Sequence, residues 1–110
     1  IRRVTADMPR VEVDIFDGLL ADYAREKQAC AVVKGLRAMS DFEYEFQMAL
    51  TNRHLNPDVE TVFLTTTAEH MYVSSSLVKQ LATLGADIES LVPAAILPEI
   101  VKKIRKDAAR

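Results

Sequence analysis

The sequence predicts an α/β fold, a parallel sheet with flanking helices. Two observations predict it. Short runs with strand-like alternation or compact apolarity take turns with longer runs of helical period. Their order is strand, helix, strand, helix, strand, helix, which is how a chain builds parallel strands with helices over them. The apolar fraction of 49% in 110 residues is ordinary for a globular chain with a core, and residues 1–110 read as one domain, represented in part.

The elements follow in order. Ile1-Arg2-Arg3-Val4 reads like the end of a helix already under way. Val11-Glu12-Val13-Asp14-Ile15-Phe16 alternates apolar and polar residues and predicts the first strand. Leu19, Leu20, Tyr23 and Ala24 recur at helical spacing behind Asp17, the expected N-cap. Ala29 to Val33 is a compact apolar run, a second strand closed by Lys34-Gly35. The longest helix runs from about Ser40 to Leu55 and stops at Asn56-Pro57. Glu60 to Thr65 is the third strand, and Ser75 to Leu84 is a helix ending at Gly85. Pro93 and Pro98 punctuate a turn-rich segment before a last helix with Ile100, Val101 and Ile104 on one face.

Composition excludes several classes. Fourteen basic and sixteen acidic residues give a net charge of -2, so nucleic acid is not an expected partner. The basic cluster Lys102, Lys103, Arg105 and Lys106 suits a solvated helix end, where cations meet the dipole. No apolar stretch reaches membrane-spanning length and no signal peptide opens the chain, which predicts a cytoplasmic protein. Cys30 stands alone, within the apolar run Ala29 to Val33, and is expected as a buried structural thiol. Two scattered histidines and one cysteine make no zinc site.

Ligands of such sheets bind beyond the carboxyl ends of the strands. Three loops are expected there: Asp17 to Leu20, Lys34-Gly35-Leu36-Arg37, and Thr65 to Ser76. Lys34 and Arg37 could hold phosphate oxygens, with Gly35 letting backbone approach a ligand or taking a positive φ; a strand-end turn with two surface cations stays equally open. Asp41, Glu45, Met48 and Asn52 fall on one stripe of the long helix, a mixed stripe able to line a pocket, and Asp41 is also placed to pair with Arg37. The helix is otherwise apolar almost all round, as at an oligomer interface or in a large core. Ser74-Ser75-Ser76 at a helix start offers an anion site, or a plain cap by one serine. His54 suits a helix end, and His70 lies where a ligand contact is possible.

Together these strings are more specific than any one of them. Lys34 to Arg37, Asp41-Phe42-Glu43-Tyr44-Glu45-Phe46-Gln47-Met48-Ala49, Asn52-Arg53-His54-Leu55, Glu60 to Leu64, and Val73-Ser74-Ser75-Ser76-Leu77-Val78-Lys79 occur in that order. From about Val11 to Val92 the chain resembles the bacterial phosphopantetheine adenylyltransferases. The resemblance implies a Rossmann-like nucleotidyltransferase fold. It also implies adenylyl transfer from ATP, with Mg²⁺, to 4′-phosphopantetheine, giving dephospho-coenzyme A and pyrophosphate. By the same resemblance, Leu20 and Lys34 would hold the phosphopantetheine. Gly35, Leu36, Arg37 and Glu45 would border ATP, with Arg37 as the phosphate-stabilising catalytic position. His70, Met71, Tyr72, Val73, Ser74, Ser75 and Ser76 would wrap the adenine and phosphates. Tyr44, Met48 and Asn52 would face the pocket. A homo-oligomer, in this family a hexamer, and coenzyme A as a feedback ligand are implied as well.

The family's N-terminal strand, glycine-rich turn and T-x-G-H signature are not among these residues, nor is the lysine on the segment after it. The chain is therefore expected to be the C-terminal portion of such an enzyme, inactive alone. The competing expectation is a non-catalytic nucleotide- or coenzyme A-binding module. His70 and Met71 depart from the aromatic-rich loop frequent in the family.

Overall fold

A computed structural model describes residues 1–108, apart from the side chains of 105, 107 and 108, so of the basic cluster the Arg105 side chain lies outside what is described. The chain divides into two compact units, Ile15–Tyr72 and Ile1–Asp14 with Val73–Arg110.

In the first unit, helix α1 (Leu20–Glu26) leads to strand β1 (Ala31–Leu36), helix α2 (Met39–Leu55) and strand β2 (Glu60–Thr65). The strands pair in parallel, Ala31 opposite Glu60 through Leu36 opposite Thr65. That pairing is the one the βαβ order requires, because parallel neighbours need a crossover element between them. Side-chain alternation then fixes two faces. Val32, Lys34, Leu36, Thr61 and Phe63 are half-buried, and Phe42 of α2 meets Phe63 edge to face at 6.1 Å between ring centroids. Val33, Val62 and Leu64 stand on the other face and are exposed.

Helix α2 carries its polarity the opposite way from an ordinary surface helix. Its half-buried or buried stripe is Asp41, Glu45, Ala49 and Asn52, whereas Phe46, Leu50 and Tyr44 are exposed. Several large apolar side chains thus point outward, while Asp41 and Glu45 are half-buried. The core of the unit is made by small contacts: Ala21, Ala24 and Val59 are buried, with Asn52 and Asn56. Asn56 stops α2 and ties α1 to it, donating from Nδ2 to the Ala21 carbonyl at 3.1 Å while its Oδ1 accepts from the Asp58 amide at 3.3 Å. Arg25 donates to the Leu55 carbonyl at 2.7 Å, a second tie between the same two helices.

In the second unit, helix α3 (Ser75–Thr83) and helix α4 (Leu97–Ala108) flank a single 3₁₀ turn, Glu89–Leu91. Val78 and Ile88 are buried, and Ile100, Val101 and Ile104 are all half-buried, the apolar stripe that the sequence pattern predicts. Gly85 takes φ 79° just beyond α3, the left-handed stop expected of a glycine there. Arg3 pairs with Glu99 of α4.

Five expectations are corrected. Val11 to Phe16 is not a strand; among the described residues only β1 and β2 pair, and a period-2 sequence becomes a strand only against a partner ladder. Ile15 is accordingly 89% exposed. Ile1 to Val4 lies in turns, although the Thr5 amide bonds the Ile1 carbonyl in the helical i to i−4 sense. Asp17 does not cap α1: Leu19 occupies that position without a side-chain bond, and Gly18 before it has φ 127°. β1 begins and ends later than the apolar run, so Lys34, Gly35 and Leu36 lie within the strand and Gly35 has no positive φ. Cys30, just ahead of the strand, is exposed rather than buried, since its neighbourhood is a loop and not the sheet interior.

Candidate functional site

Between α2 and the covered face of the sheet lies a cavity of about 100 Å³. Lys34 enters it from β1 because strand parity turns residues 32 and 34 to the same side. Glu45, Met48 and Asn52 enter from α2, the 4-, 3- and 4-residue steps of one helical stripe that begins at Asp41. Leu20, at the start of α1, closes one side, and Tyr44 and Thr61 complete the rim. Lys34 Nζ stands 3.3 Å from Glu45 Oε2, with the two side chains 37% and 21% exposed.

Arg37 is the first residue past β1. Its Nε donates to Asp41 Oδ2 at 3.0 Å and its Nη2 reaches Oδ1 at 3.5 Å, the pairing the i, i+4 spacing anticipates. Beside it a second, more apolar cavity of about 500 Å³ is lined by Leu36, Arg37, Phe42, Thr65 and Met71. His70 follows in a 3₁₀ turn, Ala68–His70, its Nδ1 2.9 Å from the Thr67 hydroxyl. Tyr72 is exposed.

Thus Leu20, Lys34 and Glu45 share one cavity, and Leu36, Arg37 and Met71 share the next. Gly35 sits in the strand between Lys34 and Leu36, with open space where a Cβ would stand. Met48 and Asn52 of the stripe line the first cavity and Tyr44, outside the stripe, lines it as well, while Asp41 of the same stripe turns to Arg37. Val73, Ser74, Ser75 and Ser76 belong to the other unit. There Ser74 Oγ accepts from the Leu77 amide at 3.1 Å, so this serine is the cap of α3, and Ser75 and Ser76 are exposed in its first turn.

Sequence reasoning passed over Thr61, Val32 and Ala49 on the first cavity, and Ala38, Met39 and Phe42 on the second, whereas Thr65 and Thr66 of the second begin the loop it expects at the site. The signal for Thr61 was present: it shares strand parity with Phe63 and stands opposite Val32. Among the described residues no three His, Cys, Asp or Glu side chains come together as metal ligands, and no helix is long and apolar enough to cross a membrane.

Comparison with known proteins fits this arrangement to a family. Residues 1–81 match the Cytidylyltransferase-like family. A phosphopantetheine adenylyltransferase of Caldanaerobacter subterraneus subsp. tengcongensis is 52% identical over 96% of this chain. Namesakes from Clostridium tetani and Clostridium botulinum are 56% and 55% identical over 94%. The chain spans 66%, 64% and 63% of those three relatives' own lengths. With parallel strands, flanking helices and a match over most of its residues, the chain belongs to the cytidylyltransferase-like family.

Proposed function

We propose that this protein transfers the adenylyl group of ATP to 4′-phosphopantetheine, yielding dephospho-coenzyme A and pyrophosphate. The names of its relatives support the reaction, and one observation carries the assignment to this site: Lys34 and Arg37 stand at adjoining cavities, each steered by a carboxylate of α2. A phosphate oxygen of phosphopantetheine attacks the α-phosphorus of ATP, the bond to the α–β bridging oxygen breaks, and that oxygen leaves with pyrophosphate. Such displacement asks the protein mainly to align the reactants and to stabilise charge on the transferring group. Lys34 holds the acceptor's phosphate as a point charge. Arg37 presents a planar donor fork to the phosphates of ATP. Leu20 contacts the pantetheine arm, and His70 to Ser76 borders the nucleotide.

Mg²⁺ is part of the proposal as a partner of ATP. Its charge would be met largely by the nucleotide's phosphates. The outward apolar side chains of α2 support a homo-oligomer, a hexamer in this reading, and coenzyme A competes for the same cavity. A cytoplasmic location completes the reading.

The test is pyrophosphate release from Mg-ATP by the full chain, with and without 4′-phosphopantetheine. Dependent release is expected, and Arg37→Ala should lower kcat by ~10²-fold or more by removing charge directed at the phosphates. Ligand binding without turnover would leave a binding module instead.

A further inference from the structure

The two cations of this site are both already answered by carboxylates. Lys34 faces Glu45 and Arg37 faces Asp41, and the two acids sit one turn apart on the same helix. Two positive and two negative groups leave the resting site with no net charge of its own. Lys34 and Glu45 both line the first cavity, whose volume of about 100 Å³ is well short of the ~300 Å³ at which small-molecule pockets begin. The Lys34 side chain is 37% exposed, so an organic phosphate can approach its ammonium, but it meets Glu45 there as a competitor for the same donors.

We propose that Glu45 is the resident counter-ion of Lys34, and that a phosphomonoester enters the first cavity by exchanging places with that carboxylate. Glu45 is then a specificity-determining residue: it makes entry conditional on a group anionic enough to take the ammonium from it. An uncharged acceptor arm of the same shape leaves the pair closed and the cavity small. The inference rests on the proposed function only for the identity of the phosphomonoester. Its physical basis is that a carboxylate 3.3 Å from the ammonium competes with an incoming phosphate for the same charge and donors.

Calorimetric titration of the full chain with 4′-phosphopantetheine and with pantetheine, both without ATP, tests it. In the wild type the ratio of the two dissociation constants measures the contribution of the phosphate. Glu45→Gln, which removes the competing charge and keeps the shape, should raise that ratio about two- to fivefold, the upper part of the range expected for releasing a partly exposed ion pair. In a Lys34→Met background the same substitution should leave the ratio unmoved. Glu45→Ala replaces the glutamine variant if the latter loses its native circular dichroism. A wild type that does not prefer the phosphorylated ligand would refute the role proposed for Lys34 and, with it, the reading beneath this one. A wild type that does, together with a Glu45→Gln variant whose ratio is unchanged or lower, would overturn the counter-ion exchange alone. A rise that persists without Lys34 would overturn it too, since it would mark simple repulsion by Glu45.

Discussion

Asn56 is the residue on which the seating of α1 against α2 turns, and replacing it by alanine is the most informative stability experiment. Its side chain is only 2% exposed and makes two bonds, one donated to the Ala21 carbonyl and one accepted from the Asp58 amide. Alanine removes both. Asp58 is exposed, so its amide regains water at small loss, on the order of 0.5 kcal/mol. Ala21 is 1% exposed, and its carbonyl loses a partner where water does not easily follow, about 1–2 kcal/mol. A small void where the amide group stood adds about 0.5 kcal/mol. The sum, ~2–3 kcal/mol, corresponds to a melting temperature lower by roughly 8–20 °C for a domain of this size. Urea titration followed by circular dichroism reads it as a fall in midpoint with unchanged slope. Because α1 carries Leu20, amide exchange in α1 should quicken in the variant. A loss below about 0.5 kcal/mol would mean that water replaces both bonds at no cost, and that Asn56 does not hold α1 in place.

Other expectations follow from single features. Ser74→Ala removes the cap of α3 and should cost ~1 kcal/mol by denaturant titration, with Ser74→Asp close to wild type. Gly85→Ala, at φ 79° with open space around it, should cost ~1 kcal/mol through backbone strain alone, and Gly85→Asn less. Cys30 should react with a thiol reagent in the native protein at a rate little changed by denaturant, contrary to the slow reaction of a buried thiol.

Much of the first unit was legible because its signals are local. The breaker pair Asn56-Pro57 fixed the end of α2, and the alternation of Glu60 to Thr65 matched β2 residue for residue. The Arg37–Asp41 pair was legible too, being one helical turn apart. Features that depend on a distant partner were not. β1 is set by what β2 pairs with, so the ladder runs on through Lys34 and Gly35, whose chemistry looks like that of a loop. Val11 to Phe16 has a strand's pattern and no ladder among the described residues. The Lys34–Glu45 pair joins a strand to a helix across eleven positions that no periodicity connects. Which way α2 turns its carboxylates was likewise undecidable from a sequence apolar on almost every side, until the sheet supplied a direction.

The spacing of the parallel ladder has a kinetic consequence. Every residue of β1 pairs with one 29 positions later, as Ala31 does with Glu60, so no strand–strand contact is local. Closing a flexible segment of that length costs about 3 kcal/mol of chain entropy before the first rung forms. Helix α2 shortens that search. Its 17 residues make a rod of about 25 Å that carries the chain back along the sheet, and helices form far faster than non-local pairings. The rate of assembling this unit should therefore track the helicity of α2. A helix-breaking proline at the exposed Leu50, outside both strands, would slow refolding of both.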